Sequence, residues 1–284
     1  MTKILLGKEA SSALKEDMKK EISEYKEKYK IQPKLTIIQI GNDKASNIYI
    51  NNKIKSCEEI GIKTTLSKYS VDSLEEEVLT AIEFFNNDSY TDGIIVQTPL
   101  PEHIRYDMVI KTIDPKKDVD GCHADNMGRA VLNLPGVKPA TALGVIKLLE
   151  YYDIDWTSKD ILVIGRGQHV GLPIAIMLGN DNRGTVTSCH ENTKELKNKA
   201  LKSDIIISAV GKEKIVTMDM VKQGAIIIDV GINRNAKGEI CGDVDYSNVK
   251  EFTSAISPVP GGVGPMTVAS LLLNTVWVFK NRFE

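Results

Sequence analysis

Tyr49 and Lys53 stand four residues apart in SNIYINNKIKSCEEIGI, residues 46–62. On a helix that spacing puts both on one face. A lysine held over a cleft beside a tyrosine can donate or accept a proton, although residue type alone equally describes a surface lysine on a charged helix. In GIIVQTPLP, residues 93–101, a short apolar strand delivers Gln97 to the carboxyl end of a sheet. Open α/β folds bind ligands there, and an amide can serve a ligand or orient a neighbouring lysine. Asp120, before Gly121 in KDVDG, is a candidate ligand contact or a simple turn residue. The run PVPGGVGP, residues 258–265, would be costly to order without a purpose. Its backbone amides could line a binding cleft.

A second kind of chemistry is written in Gly165-Arg-Gly-Gln-His-Val-Gly171, which follows the strand DILVIG and opens a helix. Glycines at 165 and 167 let the backbone approach a pyrophosphate, and a helix N-terminus adds partial positive charge. The spacing is one residue longer than the common dinucleotide fingerprint, and the alternative is a tight turn with no ligand. The next strand ends at TVTSCH, so Glu191 falls where a carboxylate reads the adenosine ribose of NAD and repels a 2′-phosphate. Arg166, after the first glycine, favours that phosphate instead. Glu191 is otherwise a solvent-exposed loop acid.

These residues need elements to carry them. Leu14, Met18, Ile22, Tyr25 and Tyr29 recur at helical steps. LTIIQIG (35–41) predicts a buried strand, 43–60 a helix with Gly61 as its C-cap, 64–69 a weaker strand, 74–85 a helix and 93–97 a strand. That alternation predicts a parallel sheet covered by helices. The segment 114–139, rich in Asp, Gly and Pro, reads as a boundary with a loop-borne site. A helix over 141–151 follows, then strands at 161–164, 185–189, 205–209 and 225–230 with helices between, the pattern of a doubly wound nucleotide-binding sheet. The last helix starts near Gly264-Pro265 and buries Val268, Leu271, Leu272, Thr275, Val276 and Phe279.

Composition narrows the class. The 284 residues are 42% hydrophobic and 26% charged, with a net charge of −2. That balance suits a globular protein and offers no general attraction to nucleic acid or an anionic membrane. The lysines from Lys15 to Lys30 alternate with glutamates, as on a solvated helix face. Cys57, Cys122, Cys189 and Cys241 form no C-x-x-C pair and no zinc spacing, so no metal is expected and the thiols read as reduced. No signal peptide is visible, and no apolar stretch approaches the ~18 residues of a membrane span. A cytoplasmic protein is expected.

Together, SNIYINNKIKSCEEIGI, DGIIVQTPLP, KDVDG, GRGQHVGLP, GAIIIDVGIN with GDV, and PVPGGVGPMTVA resemble the bifunctional methylenetetrahydrofolate dehydrogenase/cyclohydrolase family, in its order and over nearly the whole chain. The resemblance implies two α/β domains around a cleft. Residues 1–139 with 265–284 would form the folate-binding catalytic domain, and 140–264 a Rossmann-type dinucleotide-binding domain. It implies oxidation of 5,10-methylenetetrahydrofolate with NADP or NAD, then hydrolysis of the methenyl product to 10-formyltetrahydrofolate, in a homodimer that serves purine biosynthesis. Tyr49 matches the tyrosine that stacks on the aminobenzoyl ring, Lys53 the catalytic lysine, Gln97 its hydrogen-bonding glutamine and Asp120 the aspartate that holds the pterin. Gly165, Arg166 and Gly167 match the cofactor loop, and Ile232 a backbone contact to the cofactor. Pro265 and its neighbours, Gly262 among them, match the loop flanking the cleft. Two departures stand out. Gly167 replaces a common serine, and Glu191 a small polar residue; both remove hydroxyls that serve a 2′-phosphate. The rival readings are a monofunctional NAD-dependent dehydrogenase and a non-catalytic dinucleotide-binding regulator.

Overall fold

The computed structural model describes residues 1–283. The first part of the chain runs β1 (Lys3–Ile4), α1 (Gly7–Tyr29), β2 (Lys34–Ile40), α2 (Lys44–Ile60), β3 (Lys63–Tyr69), α3 (Glu75–Asn87), β4 (Gly93–Gln97), α4 (Tyr106–Thr112), α5 (Ala124–Val131) and α6 (Ala140–Tyr151). There follow β5 (Asp160–Ile164), α7 (Gly171–Gly179), β6 (Thr185–Cys189), α8 (Leu196–Lys202), β7 (Ile205–Ser208), β8 (Ile226–Asp229), β9 (Asn233–Arg234), β10 (Ile240–Cys241), α9 (Tyr246–Val249), β11 (Ala255–Ile256) and α10 (Val263–Lys280). The described residues form two compact units. One is Met1–Ser12, Ala130–Leu134 and Thr141–Thr267; the other is Ala13–Arg129, Pro135–Ala140 and Val268–Glu284.

The smaller sheet has the order β3-β2-β4, all parallel. Side chains alternate across a strand, and both faces here are buried, as parallel sheets require. Leu35 and Ile37 of β2 and Ile95 of β4 pack with Ile50 and Cys57 of α2, Met18 and Ile22 of α1, and Leu271, Leu272 and Val276 of α10. The opposite face sets Ile38, Ile40, Ile94 and Val96 against Val78, Ile82 and Phe85 of α3 and Val109 of α4. Gln39 and Gln97 are register partners at the carboxyl end. By alternation they continue the α2-facing rows, so hydrocarbon gives way to amides there.

The larger sheet has the order β1-β11-β8-β7-β5-β6, again all parallel. Its core includes Leu162 and Ile164 of β5, Ile206 of β7 and Ile227 of β8. The chain leaves β5 for β6 on one side and returns to β7 on the other. That reversal makes a switch point at the carboxyl end of β5, where Gly165 sits.

Several expectations need correction. The segment 114–139 contains the helix α5 rather than being a continuous loop. The expected boundary differs at its start, because β1 pairs with β11 and takes Met1–Ser12 into the unit of the larger sheet. The helix α10 is long and apolar enough, at 18 residues, to pass for a membrane span by length and composition. More than half of it is buried inside the protein, as befits a core helix. Its buried side also includes Ala269, Ser270 and Asn274, while Val268 is only half-buried. Asn274 donates from Nδ2 to the carbonyls of Val119 and Lys138, each at 2.8 Å. That amide ties the last helix to both sides of the Asp120 loop. Replacing it in Asn274→Ala strands two carbonyls, each costing about 1–3 kcal/mol. We expect the unfolding free energy of the smaller-sheet unit, from a urea titration, to fall by roughly 2–6 kcal/mol; an unchanged value would show that water replaces the amide freely.

Candidate active site

The helix α2 begins with Asp43, whose Oδ2 accepts from the Ser46 amide at 2.7 Å, and ends on Gly61 in the left-handed conformation. Between them Ile50 and Cys57 are buried against the sheet, Tyr49 is 43% exposed and Lys53 is half-buried. Lys53 Nζ donates to Gln97 Oε1 at 3.0 Å. The amide of Gln97 cannot turn freely, since its Nε2 donates to the Thr98 carbonyl at 2.7 Å. The oxygen is therefore the atom offered to the lysine. Burial lowers the Lys53 pKa from its ordinary value, and the nearby Asp120 carboxylate opposes that shift. The site thus holds an amine that gives up its proton more easily than a surface lysine does. The same burial pushes the Cys57 thiol up to about 12, so one turn below Lys53 the helix carries an inert side chain.

Asp120 owes its position to a residue that sequence reasoning passed over. Asp118 is 1% exposed, and its carboxylate accepts the amides of Gly121 and His123 and the side-chain amide of Asn126. The Asp120 carbonyl accepts the Ala140 amide at 3.0 Å. In KDVDG both aspartates look like turn residues, and only the alternation of buried Val119 and Asp118 against half-buried Asp120 separates their roles. Gln39 was also missed; its Nε2 donates to Asn47 Oδ1 at 2.7 Å, joining β2 to the first turn of α2.

The other residues singled out in the sequence lie in the unit of the larger sheet. A Cβ on Gly165 would stand 2.2 Å from the Ala209 carbonyl oxygen, so only glycine fits where the turn crosses β7. Gly167 faces open space, and Arg166 and Gly167 are exposed. The N-cap of α7, Val170, gives no side-chain cap. The Val170 and Leu172 amides go to the Gly167 carbonyl at 3.2 and 3.1 Å and Pro173 has no N–H, so the fit to a pyrophosphate rests on the exposed Arg166-Gly167 backbone and the positive end of α7. Glu191 is exposed just beyond β6, and Ile232 is exposed just beyond β8. Gly262 is buried and its amide is taken by the Pro258 carbonyl at 2.8 Å, so it shapes its loop rather than presenting a donor. Pro265 lies in the first turn of α10, where its missing N–H is no loss.

Two family models match the chain. Residues 5–120 match the tetrahydrofolate dehydrogenase/cyclohydrolase catalytic domain, and residues 139–283 match the NAD(P)-binding domain of the same family. The bifunctional protein FolD of Sulfurihydrogenibium sp. (strain YO3AOP1) is 46% identical over 280 residues, 98% of each chain. Among solved structures, the bifunctional FolD methylenetetrahydrofolate dehydrogenase/cyclohydrolase of Campylobacter jejuni is 44% identical, with a TM-score of 0.96 over 99% of this chain and 100% of that one. The Trypanosoma brucei methylenetetrahydrofolate dehydrogenase-cyclohydrolase, complexed with NADP and an inhibitor, is 31% identical, with a TM-score of 0.94 over 100% of this chain and 99% of its own.

The electrostatics of Lys53 can be read directly. In a lysine-selective NMR titration Lys53 should lose its proton below the surface lysines. Asp120→Asn should lower that midpoint further, because the carboxylate it removes favours the ammonium. A Lys53 signal that titrates with the surface group would contradict the burial argument.

Proposed function

The chain belongs to the tetrahydrofolate dehydrogenase/cyclohydrolase family, and from that premise we propose how its residues divide the work. It is a bifunctional enzyme of one-carbon folate metabolism. It oxidises 5,10-methylenetetrahydrofolate to the methenyl form with a nicotinamide cofactor and hydrolyses that product to 10-formyltetrahydrofolate.

A bound oxidised nicotinamide would supply the hydride acceptor for the methylene carbon of the folate, and Gly165, Arg166 and Gly167 would hold its pyrophosphate. The product is a resonance-stabilised cation and no proton moves, so the protein has only to hold two planar rings in place. Tyr49 offers its exposed ring to the aminobenzoyl group, and Asp120 holds the pterin. Gly165, Arg166 and Gly167 cradle the pyrophosphate with the N-terminus of α7, and Ile232 contacts the cofactor through its backbone. Gly262 and Pro265 shape the substrate loop.

Hydrolysis does need proton transfer. Water adds to the cationic carbon and loses a proton. The new hydroxyl then gives up its remaining proton as it becomes the formyl C=O, the bond from that carbon to the pterin ring nitrogen breaks, and the nitrogen gains a proton; overall one proton is released. Neutral Lys53 takes the proton from water and hands one to the nitrogen. The observation that carries this reading is the 3.0 Å bond from Lys53 Nζ to Gln97 Oε1, on an amine whose pKa burial has lowered.

The family's usual cofactor is NADP. The exposed Glu191 and the absence of a hydroxyl at Gly167 argue for weaker discrimination against NAD in this chain. Its four cysteines are free thiols, which supports a reducing, cytoplasmic setting. We extend the reading to a homodimer whose 10-formyltetrahydrofolate feeds purine biosynthesis.

Lys53→Met keeps the length of the side chain and deletes the amine. Cyclohydrolase activity, assayed from added methenyl substrate, should fall by about 10² to 10⁴-fold, while hydride transfer survives in part. Equal loss of both would mean that Lys53 only holds the folate, and loss of neither would remove it from the mechanism. Glu191→Ser should raise the NADP/NAD ratio of kcat/KM by roughly five-fold, the size of an exposed charge effect. An unmoved ratio would leave Glu191 an ordinary loop acid.

A further inference from the structure

We propose that Asp243 is a positioning residue for the dehydrogenase activity, its carboxylate fixing the loop after β7 in the shape that receives the dinucleotide. The proposal rests on the reading of the Gly165 turn as the cofactor site. Asp243 is fully buried and belongs to none of the residues assigned to that site. Its Oδ2 accepts the Ser208 hydroxyl at 2.9 Å and the Val210 amide at 2.7 Å, and its Oδ1 accepts the Lys212 amide at 2.9 Å and Asn233 Nδ2 at 3.0 Å. The Gly211 amide is shared between the two oxygens at 3.1 and 3.3 Å. Successive amides converging on one point make an anion-binding concavity; here the protein fills it with its own carboxylate.

The loop so held is the one the Gly165 turn rests on, because the missing Cβ of Gly165 leaves space for the Ala209 carbonyl. Asn233, the remaining donor, directly follows Ile232. One carboxylate therefore sets the carboxyl ends of β7 and β8 together, beside the switch point at β5. Asp243 is in turn located by Asp229. That carboxylate accepts the Asp243 and Val244 amides at 3.0 Å each. The fit excludes side chains: a Cβ on Gly231 would lie 2.0 Å from Asp243 Oδ1, and one on Gly242 would lie 1.9 Å from Asp229 Oδ2.

Asp243→Asn keeps the shape but turns an amino group toward backbone amides that need an acceptor. In the full-length enzyme, the Kd for NADP and for NAD from a fluorescence titration, and the KM for each, should rise by about 10-fold or more, the loss of a hydrogen bond to a charged acceptor. KM for methylenetetrahydrofolate and the cyclohydrolase rate from added methenyl substrate should stay within about two-fold, since Lys53 and Gln97 belong to the other unit. Asn233→Ala removes a single donor and should raise the cofactor KM by roughly 3-fold; it decides the matter if Asp243→Asn does not fold. Unchanged cofactor KM in the folded variants overturns the proposal. So does a parallel fall of both activities with Tm, which marks a structural role alone. A wild-type enzyme that binds neither NADP nor NAD in the same titration overturns the cofactor reading itself, and the proposal with it.

Discussion

The catalytic half of this molecule depends on keeping an amine out of water without losing hold of it. An ammonium resists burial strongly, and a lysine so placed either shifts its pKa or finds a partner. Here it does both. The Gln97 oxygen accepts from Lys53 whether the amine is neutral or charged, and the Asp120 carboxylate limits how far the pKa falls. A carboxylate in place of Gln97 would hold the proton on the amine too firmly. A hydrocarbon would leave the amine unpaired. The neutral amide avoids both, and the rest of the smaller-sheet unit can be understood as the means of presenting it.

Presentation is a matter of strand register. Gln39 and Gln97 end adjacent strands at the same level, where the hydrocarbon rows of β2 and β4 stop. Each amide is tied locally, Gln39 to Asn47 and Gln97 to the Thr98 carbonyl. Below them the sheet is packed with Ile and Leu; above them is the site. Lys53 reaches this boundary because α2 turns the same face inward at Ile50 and Cys57. Two periodicities, of the strand and of the helix, meet at one hydrogen bond.

How much of this was legible in the sequence follows the range of the interactions. The strands β5 to β8 are short runs rich in Ile, Leu, Val and Thr, and reading them needed only local pattern, although the helix expected between β7 and β8 is only a 3-10 turn over Met218–Met220. The helix α2 announced itself by spacing and by its terminal Gly61. By contrast β1, β9, β10 and β11 have two residues each, too few to carry a period. The pairing of β1 with β11 joins residues about as far apart as the chain allows, which is why the domain boundary was misplaced. Asp118, Asp243 and Asn274 share one cause of being overlooked. Each is an ordinary turn or helix residue until its partners are known, and those of Asn274 lie 136 and 155 residues away. Lys53, Gln97 and Asp120 were singled out because the family motifs mark them; spacing alone left each with a bland reading.

The placement of α10 has a consequence for biosynthesis. Leu271, Leu272 and Val276 close the face formed by Leu35, Ile37 and Ile95. A nascent chain makes that face early and its cover last, after the whole larger-sheet unit has been translated. At ordinary elongation rates of ~5–20 residues per second, some 176 residues separate Ile95 from Leu271, an interval of roughly nine seconds or more. Through that time α1 and α2 cover the strand face only in part, and the strip that Leu271, Leu272 and Val276 occupy has no cover. Such a chain has reason to engage a ribosome-associated chaperone, and the catalytic half cannot mature until the last helix has emerged from the exit tunnel.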